Sequence, residues 1–232
     1  VLKQQTKPFF AIIQTADNHR PYTIPAEDMD EFKSVSFSAD SLKRFGFESN
    51  EEMNAFRYTD FGFQKFMEAA KKEAYFKNTI FVFVGDHGIR YNGTLDYFPK
   101  AWTEQGLTCE HVPLLFYAPA LLKPQRIPDI CSQVDILPTI AGMMQQPYLN
   151  STLGRDLLDK SKKENAAFII YHAPGWIGVV NDDYFFRKNI RFKKEELVPV
   201  RNNLPVLSVQ QQDSVKKHLS QLTSAMYETA RW

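Results

Sequence analysis

The stretch Thr79 to Gly85 (TIFVFVG) constrains this chain more than any other: β-branched and aromatic residues throughout, stopped by a glycine and followed at once by Asp86-His87-Gly88. A run this uniformly apolar reads as a strand covered on both faces. Ahead of it, Ser49-Asn50-Glu51-Glu52 reads as a capping box that opens a helix. Phe56, Phe63, Phe66, Met67, Ala70 and Ala74 then recur at helical spacing, putting one aromatic stripe on a face that ends near Lys77-Asn78. Such a stripe packs against a sheet and carries no chemistry. Helix, apolar strand and charged tip together are an α/β signature, and polar chemistry in open α/β sheets gathers at the strands' carboxyl ends.

The same grammar repeats. Pro8 to Thr15 (PFFAIIQT) is a second strand-like run, and Asp17-Asn18-His19-Arg20-Pro21 follows as turn chemistry, so His19 falls just past a strand's carboxyl end. Ile24 to Asn50 lacks periodicity and reads as a long surface excursion. Val112 to Ala118 (VPLLFYA) is a further buried strand, preceded by His111 and closed by Pro119. Gln133 to Met144 is helical by its Val134, Leu137, Ile140, Ala141 and Met144 spacing, with Ser132 as cap and Pro138 in the first turn or at a kink.

Beyond Leu157 the pattern changes to short β-like runs, Ala167 to Tyr171, Trp176 to Val180 and Asp183 to Arg187, parted by Pro, Gly and Asn-Asp turns. A helix from Ser208 to Tyr227 closes the chain, with Val215, Leu219, Leu222 and Met226 on one side. The expected fold is therefore α/β: a mainly parallel sheet flanked by helices, then a small C-terminal antiparallel β element and a terminal helix. The corresponding domains are residues 1–157 and 158–232.

Composition closes off other classes. Lys plus Arg number 28 against 27 Asp plus Glu, a net charge of +1, which is not the balance of a phosphate-backbone binder. Nucleic acid is excluded as a partner on that ground. The longest apolar runs fall short of the ~18–20 residues that cross a bilayer, so no membrane span is expected in this chain. The first residue is Val, and the chain enters an apolar run by residue 8 with no leader pattern ahead of it, which reads as a piece of a longer protein. Cys109 and Cys131 fit neither a disulfide framework nor a CxxC metal clip.

Five histidines remain to be weighed. Asp86-His87 is the strongest pair, because a carboxylate and an imidazole adjacent at a strand-to-loop transition can both turn toward one divalent cation, with Gly85 and Gly88 permitting the turn. An isolated DH dipeptide is more often a strand-terminating Asp with a His beside it. His19 and His111 also sit at strand edges, and convergence of these tips is the hypothesis that gives the dipeptide meaning. His172 and His218 have no such neighbours and receive no role.

FVFVGDHG at Phe81–Gly88, HVPLLFYAP at His111–Pro119, QVDILPTI at Gln133–Ile140 and GRDL at Gly154–Leu157, in that order, resemble the C-terminal half of a sulfatase-type member of the alkaline phosphatase superfamily. The resemblance spans about residues 8 to 190. TADNHRPY at Thr15–Tyr22 is similar to the NHxPY element of the lipoteichoic acid synthase-like phosphoglycerol transferases. The resemblance implies that Asp86 and His87 ligate the catalytic metal and that His19 holds phosphoryl or sulfuryl oxygens. It gives His111 the place of a second-metal ligand in two-metal relatives and of a substrate contact in single-metal ones. Two-metal phosphodiesterases of the superfamily carry an aspartate four residues before the histidine equivalent to His19. Here that residue is Thr15, so one metal is expected, Mn²⁺ first, with Zn²⁺, Mg²⁺ or Ca²⁺ as alternatives, leaving His19 and His111 as clamps on the transferred group.

The family's nucleophile and first acidic ligand lie upstream of residue 1, and C-x-P-x-R, the formylglycine motif, occurs at neither cysteine. The fragment alone is expected to be inert, with the upstream half of the same protein as its partner. The implied activity is metal-dependent transfer or hydrolysis of a phosphodiester or sulfate ester, lipid- or glycan-linked, phosphoglycerol transferase-like before sulfatase. The implied setting is extracytoplasmic, in the cell envelope, with a membrane-anchored parent. The rival from another class is a non-catalytic relative that binds a lipid or glycan head group.

Overall fold

A computed structural model of the chain describes residues 1–89, 98–159, 161, 165–171 and 175–231. Its elements in order are α1 (Ala39–Phe45), α2 (Asn50–Ala70), β1 (Phe81–Val84), α3 (Lys100–Thr103), α4 (Leu107–Glu110), β2 (Leu114–Tyr117), α5 (Ile136–Met144), β3 (Ala166–Tyr171), β4 (Trp176–Asn181), β5 (Tyr184–Asn189), β6 (Glu195–Pro199) and α6 (Val209–Ala230). They fall into two units, Val1–Leu95 with Thr108–Gln125, and Asp96–Leu107 with Arg126–Trp232. The whole is a mixed helix-and-sheet fold whose sheets are antiparallel among the described residues.

In the first unit β1 pairs with β2 in antiparallel register, from Phe81 opposite Tyr117 to Val84 opposite Leu114. The mainly parallel sheet expected from the sequence is not seen among the described residues, whose two sheets are antiparallel. The reason is local: a bond from Gly85 N–H to Pro113 O brings the returning chain in at the carboxyl end of β1, and from there it can only run back. The stripe on α2 packs as its spacing predicts, with the Phe63 ring 5.2 Å from Phe83 and Phe66 6.1 Å from Phe81. The helix ends at Ala70 rather than near Lys77, and a 3-10 turn (Ala74–Asn78) covers the remainder.

The excursion before α2 is ordered by side chains that imitate a strand. Asn54, 6% exposed, accepts from Val35 N–H (2.9 Å) and donates to Val35 O (2.8 Å), and Asn50 does the same for Phe37. Within it α1 starts on Ser38, whose hydroxyl accepts from Ser41 N–H, and stops at Gly46 in the left-handed region (φ 82°). Pro8 to Thr15 contains no strand. Phe10 (68%), Ile12 (83%) and Ile13 (66%) stand exposed, because among the described residues no ladder partner lies beside them.

In the second unit β3 to β6 form an antiparallel meander in sequence order. Asn181 shapes one turn, its side-chain oxygen accepting from Asp183 and Tyr184 N–H. Adjacent residues Phe185 and Phe186 are both fully buried on opposite faces of the sheet. Phe186 joins Ala166, Val179 and Leu219 beneath α6, while Phe185 joins Ile169, Val200, Ala101 and Leu107. The expected antiparallel element and terminal helix are thus present, and β6 adds a strand that the sequence did not announce.

The motifs QVDILPTI and GRDL meet in this unit as a clasp. Asp135, 4% exposed, accepts from Ser132 N–H through one carboxylate oxygen (2.8 Å) and from Arg155 N–H through the other (2.9 Å). Thr139 donates to Asp135 O and accepts from Leu157 N–H. Ser132 with Asp135 is a complete capping box, and Pro138 sits in the first turn of α5, as expected. Among the described residues no helix is long and apolar enough to cross a membrane.

Candidate active site

Asp86 and His87 leave β1 between two backbone links to the returning chain, Gly85 N–H to Pro113 O (3.3 Å) and Gly88 N–H to Cys109 O (2.7 Å). His111 lies on the returning chain just before β2, between the two acceptors. The flanking glycines serve close approach. A Cβ on Gly85 would come within 2.9 Å of the Val112 Cβ, and one on Gly88 would overlap the Thr108 carbonyl oxygen. Antiparallel pairing is therefore what brings Asp86, His87 and His111 to one end of the β1–β2 pair.

Within the pair, Asp86 Oδ1 accepts from His87 N–H at 2.9 Å, which turns the carboxylate over the following residue. His87 Nδ1 lies 2.9 Å from Gly88 O. A carbonyl can only accept, so Nδ1 is the donor in this bond and Nε2 is the ring nitrogen left facing outward. Nε2 stands 3.8 Å from Asp86 Oδ2, and both side chains are largely exposed. A carboxylate oxygen and an imidazole nitrogen this close together are a hard and a borderline donor of the kind that suits one divalent cation. Two donors are fewer than such an ion needs, and among the described residues no group of three or more His, Cys, Asp or Glu comes together.

Glu110 belongs to this neighbourhood and was not foreseen. Burial pushes its carboxyl above the ordinary range, with His87 pulling the other way. Its one sequence cue was the place next to His111.

His19 stands on a different support. His19 N–H donates to Ala16 O and Tyr22 N–H to His19 O, both at 3.1 Å, so the residue is the middle of two successive turns. Its imidazole is exposed, with Nδ1 3.3 Å from Arg20 O. The turns are tied to α2: Asn18 accepts from the Thr59 hydroxyl, Arg20 pairs with Glu48, and the Tyr22 hydroxyl donates to Glu52 Oε1 at 3.0 Å. His218 is exposed on α6, and His172 lies outside the described residues.

In fold, 98% of the chain superposes on 55% of a solved 2-O GAG sulfatase, with TM-score 0.53 at 16% identity. This is a sulfatase-like fold. The Sulfatase family profile matches residues 1–146, and the chain belongs to that family, a sulfatase-type branch of the alkaline phosphatase superfamily. It is 27% identical over 205 residues to the lipoteichoic acid synthase-like YvgJ of Bacillus subtilis (strain 168), across 84% of this chain and 31% of the relative. It is 27% identical over 150 residues to arylsulfatase K of Mus musculus, across 61% of this chain and 26% of the relative. The chain thus spans less than a third of the length of either of these relatives.

Proposed function

We propose that this chain is the C-terminal half of an extracytoplasmic, metal-dependent enzyme that transfers or hydrolyses a phosphodiester or sulfate ester, with phosphoglycerol transferase-like chemistry. The observation that carries the reading is the Asp86–His87 pair, with Nε2 aimed beside a carboxylate oxygen at a strand end. Asp86 and His87 hold one divalent cation, Mn²⁺ before Zn²⁺, Mg²⁺ or Ca²⁺. When bound, the ion lowers the pKa of a hydroxyl nucleophile and neutralises charge on the transferred group. His111 and His19 donate hydrogen bonds to the group's outer oxygens, where negative charge builds up. Gly88 O accepts from Nδ1 of His87, which leaves Nε2 as the ring nitrogen that would meet the ion.

The nucleophile and the remaining ligands come from an upstream half of the same protein. Two facts support this: both reported relatives are more than three times as long as their matched portions, and the apolar Phe9–Ile13 run stands exposed. Paired with strands from that half, the run would be part of the mainly parallel sheet, with residues 1–157 as catalytic half and 158–232 as accessory subdomain. Similarity to YvgJ supports a membrane-anchored parent at the cell envelope and a lipid- or glycan-linked substrate.

Sulfatase chemistry is the second reading, favoured by the likeness to arylsulfatase K. In the full-length protein, metal content by mass spectrometry should be one equivalent, lost in Asp86→Ala together with turnover. Hydrolysis of bis(p-nitrophenyl) phosphate supports the first reading, and hydrolysis of p-nitrophenyl sulfate the second. No metal in either protein would sink both in favour of a head-group-binding relative.

A further inference from the structure

The NHRPY stretch contributes more than His19. In a capping box the Glu at the third helical position reaches back to the N–H of the capping residue. Ser49 does its half, accepting from Glu52 N–H at 3.2 Å, but Glu52 does not return the bond. Its Oε2 accepts from Glu48 N–H at 2.7 Å, and its Oε1 is given to the Tyr22 hydroxyl at 3.0 Å. Glu52 is 5% exposed, and a carboxylate is costly to bury unless its oxygens are used. Capping α2 alone would leave it at the surface.

Tyr22 in turn holds an unusual backbone, φ 62°, a left-handed conformation that a bulky residue keeps only when its surroundings fix it. Its own N–H bonds His19 O, so locking Tyr22 locks the turn that carries His19. The His19 imidazole is exposed and its Nδ1 lies 3.3 Å from Arg20 O, so its direction is set by the backbone of this loop. Arg20 with Glu48, and Asn18 with Thr59, brace the same loop from outside.

We infer that Glu52 and Tyr22 are positioning residues for His19, a bolt from the first turn of α2 to the loop that presents the imidazole to the transferred group. The inference rests on the reading of His19 as a contact to that group. It assigns a task to the tyrosine of NHRPY and to a helix residue thirty positions away.

A double-mutant cycle in the Mn²⁺-loaded full-length protein tests it, with bis(p-nitrophenyl) phosphate and p-nitrophenyl sulfate as probes. Tyr22→Phe is expected to lower kcat about ten- to hundredfold with metal content unchanged, and to cost nothing further in a His19→Ala background. Equal loss in both backgrounds would mean that Tyr22 acts only on the fold, and would overturn the inference. A readout independent of turnover is the ¹³Cε1–H resonance of His19 in histidine-labelled protein. Tyr22→Phe and Glu52→Ala should displace or broaden it while leaving His218 in place, and an unmoved His19 signal refutes the bolt. If His19→Ala alone leaves turnover intact, the reading of His19 fails, while the resonance still decides whether Tyr22 and Glu52 hold it.

Discussion

At the scale of residues, the site is built by what the two glycines leave out. A methyl group on Gly88 would meet backbone, the Thr108 carbonyl, which cannot rotate away as a side-chain tip could. Gly88→Ala should therefore destabilise the chain by about 1–3 kcal/mol, read by urea unfolding. Gly62, exposed in α2 with nothing within 4 Å of a Cβ, is the control: Gly62→Ala should stabilise by about 0.5–1 kcal/mol. Equal effects at the two positions would show that Gly88 is not a contact point. Gly85, Asp86, His87, Gly88 and His111 could be picked from the sequence because strand-end chemistry is written in neighbouring letters. The Tyr22–Glu52 bond could not, since thirty residues separate its partners and the Ser49–Glu52 spacing advertised a different bond. Glu110 owes its shift to burial, which single-sequence reading does not see.

At the scale of elements, five of the six strands were legible to within two residues, whereas the short helices α1, α3 and α4 and the strand β6 were not, and the failures have physical causes. β6 (EELVP) lacks strand composition because it is held partly by charge. Its Glu196 stands opposite Arg187 of β5 and accepts from it at 2.8 Å and from Lys194 at 2.7 Å, while Arg187 lies 4.5 Å over the Trp176 ring. Burial raises the Glu196 carboxyl, but these cations outweigh it and hold it below its ordinary range. A depressed carboxylate contributes stability that is present above the ordinary carboxylate pKa and lost as pH falls through the depressed value. Glu196→Gln should thus cost about 1.5–3 kcal/mol at pH 7, and the difference should shrink below about pH 4. A pH-independent difference in urea unfolding would contradict this. The direction of β2 was missed for another reason: apolar runs carry no sign of polarity. Yet His111 before one strand and Asp86 after another can share an edge only if the two run opposite ways.

At the scale of the molecule, apolar surface sits where a compact domain would bury it. Phe10, Ile12 and Ile13 stand exposed within four residues of one another outside any strand, which makes them an apolar patch. The 232-residue chain should self-associate at micromolar concentration, and Phe10→Lys with Ile12→Lys should return it to monomer without lowering its melting temperature. Sedimentation velocity reads both, and a monomeric parent chain would show the patch to be harmless. The sequence marked this run as a strand, and among the described residues it forms none. What it lacked was a neighbour, and pairing is a property of two segments.

The clasp at Asp135 has a bearing on descent. One short carboxylate there serves two backbone N–H groups from segments twenty residues apart, a task too exacting for Asn, with one acceptor oxygen, or for Glu, one methylene longer. Drift at that position has no neutral path, whereas Asp86, in the open, can be exchanged with little harm to folding. A lineage in which Asp86 changed would therefore keep QVDILPTI and GRDL, and go on being recognised as kin by the clasp alone.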